Sequence, residues 1–273
     1  DGKRRLRTKE DGGMNSSIMQ NPSDPDATYR EKAGKKHRGY AANVEESVGK
    51  NGSVVTDYQL DSNNKSDSEF FQEHVEKIGP QEEKTIISAD GAYSGEENTE
   101  LAAKNNIDLV TTDLTGRDVD PVMGAFELNE DGTRVLHCPA GNAPRSNWYN
   151  KATGIINISF ERDKCANCPF AMHCKPKIFK KVSKLTVSRK MVNRALTQAR
   201  MNTEQFKLLA RIRNGVETVP SALKNIYDVN HMPLRGKIPC KHFFGSKIAA
   251  LNFRKLLRFR QGTGHYGQNP LLV

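Results

Sequence analysis

Apolar residues recur along this chain with two different periods, and the switches between the periods mark out its elements. From Gly39 the sequence alternates toward a strand at 40–45, passes Gly49-Lys50-Asn51-Gly52, and resumes as a β-rich run at 53–60. This pattern predicts an antiparallel hairpin with an Asn-Gly turn. A helix follows, with Ser66 or Asp67 as its cap, Phe70, Phe71, Val75 and Ile78 on one face, and Gly79-Pro80 as its end. Thr85-Ile86-Ile87-Ser88-Ala89 is a short apolar run of the kind buried in a sheet, and it ends at Asp90. Gly91 and the capping-box pattern Ser94-x-x-Glu97 then introduce a helix over about 95–104, and a further strand is predicted at 107–112. Strand, helix and strand in succession imply parallel pairing and an α/β core.

The alternation breaks at 113–187. Turn residues, a cysteine cluster and β-prone pieces such as Ile155-Ile156-Asn157-Ile158-Ser159-Phe160 predict a small inserted subdomain there. Helical periodicity returns with a long basic stretch over 188–213 and a second helix at about 246–260. Residues 1–36 are rich in Lys, Arg, Asp, Gly, Asn and Ser with almost no apolar period, which predicts a linker or unstructured arm. Four stretches result: the arm (1–36), the first part of the core (37–112), a cysteine-bearing insertion (113–187) and a basic helical part completing the core (188–273).

Charge changes this picture more than length does, since 273 residues suffice for one large domain or two modest ones. The net charge of +10 is unevenly placed: residues 175–260 hold 21 Lys and Arg against three acids, Glu204, Glu217 and Asp228. Cations so concentrated release counterions when they neutralise phosphates, so the carboxyl-terminal third points to a nucleic-acid partner; a merely solvating basic surface is the alternative. No run approaches the roughly 18 apolar residues needed to cross a membrane, and the amino end lacks a charged-then-apolar signal pattern. A cytoplasmic location is therefore expected. With no initiator Met and a polar opening, the chain reads as a fragment.

Four groups of residues could carry chemistry. Asp90 stands at a strand's carboxyl end, where α/β sheets place reactive groups and where two-metal phosphoryl transfer needs a carboxylate; a helix cap is the plainer role. Glu217 is an isolated acid in a basic stretch, and Arg213, Glu217 and Lys224 fall within about 40° of one another at 100° per residue. The alternative is a surface ladder of salt bridges, and Pro220 inside the span is a candidate helix break. Lys247, Arg254 and Arg258 likewise share one face of the last helix, opposed by Ala249, Phe253, Leu256 and Leu257, as in a helix that docks and contacts DNA. Cys165-x2-Cys168-x5-Cys174, with Cys138 upstream, has spacings compatible with a closed tetrahedral zinc site; free thiols are the alternative. His137 and His173 adjoin these cysteines, and Cys240 stands apart.

Ser88-Ala89-Asp90-Gly91-Ala92-Tyr93, followed by Arg213, three residues, Glu217, six residues and Lys224, resembles the signature of bacterial insertion-sequence DDE transposases. The family pattern is Tyr, two residues, Arg, three, Glu, six, Lys; Ala210 stands here in place of the Tyr. The likeness continues through Ser23-Asp24-Pro25-Asp26-Ala27, Gly39-Tyr40, Cys138-Pro139, Cys165-x-x-Cys168-Pro169 and Ala249-Ala250-Leu251-Asn252, and so touches nearly the whole chain. It implies an RNase H-like mixed sheet with flanking helices, interrupted by a small cysteine-rich β subdomain. Asp90 and Glu217 would be the second and third acids of a DDE triad binding two Mg²⁺ or Mn²⁺ ions, and Arg213 and Lys224 would hold transposon-end phosphates. The reaction implied is in-line displacement at a DNA phosphodiester, by water and then by a 3′-hydroxyl, carried out by a homo-oligomer on DNA. No residue presents itself as the first Asp, which is expected upstream of residue 1, so the chain alone is expected to be inactive. A non-catalytic zinc-containing DNA-binding remnant and an RNase H-like nuclease are the competing readings.

Overall fold

The computed structural model describes residues 10, 18–19, 21–32, 34–49, 52–112 and 118–262. In chain order its strands are β1 (Thr28–Lys32), β2 (Lys35–Gly49), β3 (Gly52–Ser62), β4 (Thr85–Ala89), β5 (Ile107–Thr111), β6 (Glu127–Leu128), β7 (Val135–His137), β8 (Ser146–Asn150), β9 (Ile155–Glu161), β10 (Lys177–Ile178) and β11 (Val182–Ser188). The helices are α1 (Asp67–Ile78), α2 (Glu96–Lys104), α3 (Arg162–Ala166), α4 (Ala171–Cys174), α5 (Arg189–Met201), α6 (Glu204–Val216), α7 (Thr218–Asn225) and α8 (Lys237–Arg260). The chain divides into two compact units, one of residues 1–88, 95–109 and 208–273, the other of 89–94 and 110–207.

In the first unit, β1, β2 and β3 form an antiparallel sheet in that order. The predicted hairpin is β2–β3, paired from Tyr40↔Ser62 to Gly49↔Gly52 with a bulge at Glu45/Glu46; its connecting residues 50–51 lie outside the described residues. The α1 helix has its predicted cap and end, and of its predicted face Phe70, Phe71 and Val75 are buried while Ile78 is exposed. Ser66 and Glu69 form a reciprocal capping box, and Gly79 at φ +66° closes the helix by donating its N–H to Val75. Helix α2 starts differently: Gly95 is its cap, without a side-chain cap bond, and the Ser94 hydroxyl donates to the Gly91 carbonyl at 2.6 Å.

Val55 and Leu60 of β3 pack with Val219 and Leu223 of α7 and with Cys240, Phe244, Ile248 and Leu251 of α8. Each large side chain buried there stabilises the unit by roughly 1.5–3 kcal/mol. Helix α8 runs 24 residues and begins nine positions before the sequence pattern suggests. Pro239 sits in its first turn, where its missing N–H costs nothing. Gly245 lies inside it because an added Cβ would fall 2.1 Å from the Tyr58 hydroxyl.

Two polar pieces of the sequence acquire structural roles here. The stretch expected to be an arm contains β1 and a turn around buried Asp24. Asp24 Oδ1 accepts from the Tyr40 hydroxyl at 2.5 Å and from the Gly236 N–H at 3.2 Å, while Asp26 Oδ2 accepts from the Lys237 N–H at 3.2 Å. Both carboxylates thus meet the amino end of α8, whose free N–H groups and dipole favour negative charge. Burial and the Asp24 carboxylate push the Tyr40 hydroxyl above its ordinary pKa. At the other end of α8, the Asn252 amide donates to the Val55 carbonyl at 2.8 Å and accepts from the Val55 N–H at 3.0 Å.

The second unit is built on an antiparallel sheet in the order β10-β11-β9-β8. Ile156, Ile158, Phe160 and Val187 line its buried face and pack with Val192 and Ala195 of α5 and with Met123, Phe126 and Val135. The long helix expected over 188–213 is two helices. Ser188 caps α5, and the Thr203 hydroxyl accepts from the Phe206 N–H to start α6 afresh.

The architecture is therefore mixed α/β with several small sheets rather than one mixed sheet. Strands β4 and β5 pair only with each other, and beyond Gly39 the β2 strand has β3 as its one ladder partner among the described residues. No helix among the described residues is long and apolar enough to cross a membrane.

Candidate functional site

Asp90 lies where β4 ends, exposed, as the sequence pattern implies. Its Oδ1 accepts from the Gly91 N–H at 2.5 Å and caps the 3₁₀ turn Gly91–Tyr93, so the carboxylate is oriented by local backbone. It belongs to the second unit.

Glu217, in the first unit, occupies the corner between α6 and α7 and makes no helix-capping bond with its side chain. The shared helical face of Arg213, Glu217 and Lys224 has to be corrected: α6 ends at Val216 and α7 begins at Thr218. Pro220 causes the break. It has no N–H for the Val216 carbonyl, and its ring would collide with that carbonyl in a continuous helix. Glu217 is exposed at φ −60° and ψ −18°, held in place by Val219 and Leu223, which are buried just beyond it. Arg213 is half-buried in the last turn of α6, and Lys224 is exposed in the last turn of α7.

Carboxylate oxygens suit hard divalent cations such as Mg²⁺ in kind. In number they fall short: among the described residues no three His, Cys, Asp or Glu side chains are grouped so that they could hold one ion. No metal-dependent step is assigned to this geometry.

The face of α8 also needs correction. Phe253, Leu256 and Leu257, expected to dock the helix, are exposed, and the packed residues are Cys240, Phe244, Ile248 and Leu251. At 100° per residue Lys247, Arg254 and Arg258 lie within about 60° of Leu251, so they flank the packed face instead of opposing it. Lys247 and Arg254 are accordingly half-buried, the former with its Nζ 4.8 Å from the Phe243 ring centre, while Arg258 is exposed.

Cys138, Cys165, Cys168 and Cys174 all line one cavity of about 20 Å³, walled by Phe126, Phe160, Phe170 and Leu185. Cys138 opens a turn closed by the Gly141 N–H on its carbonyl at 2.7 Å; Cys165 lies in α3 and Cys174 ends α4. Burial pushes the Cys165 thiol up and the Cys174 thiol up to about 11, reinforced by the neighbouring cysteines. His137 and His173 do not line the cavity; they pair with Glu127 at 2.7 Å and Asp120 at 2.8 Å. Cys240 is buried in the α8 packing, 3.4 Å from the Leu234 carbonyl oxygen.

One polar cluster escaped the sequence reading. His74 of α1 is buried, with Nε2 2.5 Å from Glu45 of β2 and Nδ1 3.3 Å from Asp57 of β3; Lys77 reaches Asp57 at 2.7 Å. The hydrogen bond to Glu45 is the largest influence raising the His74 pKa. The signal was available, since position 74 falls in phase with Phe70, Phe71, Val75 and Ile78. Nearby carboxylates are similarly engaged: Glu46 pairs with Lys255, and Asp61 with Lys65 and Lys237.

No curated protein and no solved structure matches the chain. A family model described as transposase DDE domain matches residues 137–257, a stretch that runs from the end of β7 through the cysteine cavity into α8 and contains Arg213, Glu217 and Lys224. Over residues 137–257 this chain is thus similar to the transposase DDE domain family, which supports a DDE transposase catalytic domain.

Proposed function

We propose that the chain is the RNase H-like catalytic part of a DDE transposase, a protein that cleaves and joins DNA strands at transposon ends. The observation that carries this reading is the family match over 137–257, which includes Glu217 flanked by Arg213 and Lys224 at the family's spacing. Asp90 and Glu217 are its acids, and Arg213, Lys224, Lys247, Arg254 and Arg258 are its phosphate-binding cations. DDE transposase domains generally use divalent ions such as Mg²⁺, which supply charge stabilisation at the phosphate when bound. Water and then a DNA 3′-hydroxyl attack phosphorus in line, so no covalent bond to the protein forms. A homo-oligomer bringing two DNA ends together belongs to the same reading. The four cysteines of the shared cavity would hold a structural Zn²⁺ once their sulfurs close on it, bracing the turn and short helices that carry them.

The test is nicking and strand transfer on end-bearing DNA, with and without Mg²⁺, by this chain and by any longer natural form of it. Expected is Mg²⁺-dependent cutting and joining by the full-length protein, which Asp90→Ala and Glu217→Ala each abolish, and none by this chain alone. Tight DNA binding with no cutting by any form overturns catalysis and leaves a DNA-binding remnant. Cutting without joining makes the protein a nuclease.

A further inference from the structure

The solvent face of the second unit's sheet has an unusual composition. Strand alternation sends Ile156, Ile158, Phe160, Ser183 and Val187 inward, and turns Ser146, Trp148, Asn157, Ser159, Lys184 and Thr186 outward. The register lines up Trp148, Asn157 and Thr186 in one cross-strand row, and Ser146, Ser159, Lys184 and Lys177 in the next. Trp148, the chain's single tryptophan, is 61% exposed on a regular strand. An aromatic of that size ordinarily buries most of its surface, so leaving it in water on rigid backbone needs a reason.

The surroundings supply one. Ser146 and Ser159 bond to each other at 2.6 Å, so the part of the row nearest Trp148 is polar and uncharged. On the far side of the sheet Phe179 is 49% exposed, with the Lys184 Nζ 5.5 Å from its ring centre, and Lys180 and Lys181 follow in the turn between β10 and β11. Glu161, at one end of β9, is the one carboxylate in the four strands. From Trp148 to Lys184 is two strand spacings, about 10 Å across the sheet. That distance suits a short length of nucleic-acid strand with a base on the ring and its phosphates over the lysines. Duplex DNA keeps its base faces covered by stacking, whereas an aromatic platform fringed by cations matches unpaired nucleotides.

We propose that the outer face of the β10-β11-β9-β8 sheet is a binding site for unpaired DNA, stacking a base on Trp148 and holding the adjoining backbone through Lys184 and the lysines of the β10–β11 turn. The proposal rests on the DNA-transposase reading above, and it adds a site remote in sequence from Asp90 and Glu217 for strand that is not paired.

Because Trp148 is the only tryptophan, its fluorescence reports on this face alone. The full chain is titrated with a 12-residue oligothymidylate and, separately, with a duplex of the same length, while fluorescence anisotropy of end-labelled DNA records binding independently of the tryptophan. Expected is strong quenching by the single strand and little by the duplex. Trp148→Ala should weaken oligothymidylate binding roughly 5- to 100-fold. Lys184→Gln should lower the salt slope of that binding by about 0.7. Both positions are exposed, so melting temperatures equal to wild type confirm that the variants fold. Equal quenching by duplex and single strand overturns the preference for unpaired bases. Single-strand binding by anisotropy without quenching, or undiminished in Trp148→Ala, overturns the site while leaving DNA binding intact. Binding of neither DNA overturns the site together with the transposase reading.

Discussion

Asn252 offers the sharpest test of how the first unit is held together. Its side-chain amide pairs with both backbone groups of Val55 on the edge of β3 that faces away from β2. Val55 is 5% exposed, so Asn252→Ala would leave a nearly buried N–H and C=O without their partner. An orphaned buried polar group costs about 1–3 kcal/mol, and two give about 2–4 kcal/mol once some water entry is allowed. The better helix propensity of Ala returns roughly 0.6 kcal/mol. Asn252→Asp should be no better than Ala: a carboxylate accepts from the N–H but opposes the Val55 carbonyl oxygen. Urea denaturation followed by circular dichroism reads the stability, and hydrogen exchange at the Val55 amide reads the contact itself, with protection expected to fall roughly 30- to 1,000-fold. A loss below about 0.5 kcal/mol with unchanged Val55 protection would refute the reasoning.

Gly245→Ala should cost about 1–3 kcal/mol in spite of the helix it sits in, since the new Cβ would meet Tyr58 at 2.1 Å from Oη and 2.6 Å from Cζ. Combining it with Tyr58→Ala should be far less than additive in urea melts; simple additivity sinks the explanation. The raised pKa of His74, due first to Glu45, makes its contribution to stability complete below about pH 6.5 and lost as pH rises through the higher folded value. Denaturation midpoints should therefore fall across that rise in wild type and flatten in His74→Gln, and a parallel pH profile in the two proteins is the contrary result. Elemental analysis of purified protein should find one zinc per chain, reduced by Cys168→Ser; a metal-free chain whose melting ignores chelators would remove zinc from the proposal.

The chain's local grammar was legible without any structure. Helix α1 announced its cap, most of its apolar face and its glycine stop between Ser66 and Gly79; β4 and β9 were continuous or alternating apolar runs, and Asp90 stood at the end of the first of them. These features depend on interactions among neighbours in sequence, which is why spacing alone specifies them. The spacing of Arg213, Glu217 and Lys224 was equally plain, and so was the cysteine series that lines one cavity.

Tertiary structure decided what distance along the chain conceals. The start of α8 was hidden because Pro239 and Gly245 look like breakers; one is harmless in a first turn and the other is required by a tyrosine 187 residues earlier. Losing those nine residues shifted the helix's apparent docking face from Cys240, Phe244, Ile248 and Leu251 to residues that are exposed. Asp24 and Asp26 stood in a stretch expected to be an arm until α8 brought its amino end to them, and nothing in the sequence marked Asn252 as the partner of Val55. The ion pairs of His74 with Glu45 and Asp57 join residues up to 29 positions apart. In each case the partner's identity is fixed by packing of apolar faces, and a polar side chain gives no periodic sign of the distant group that will satisfy it.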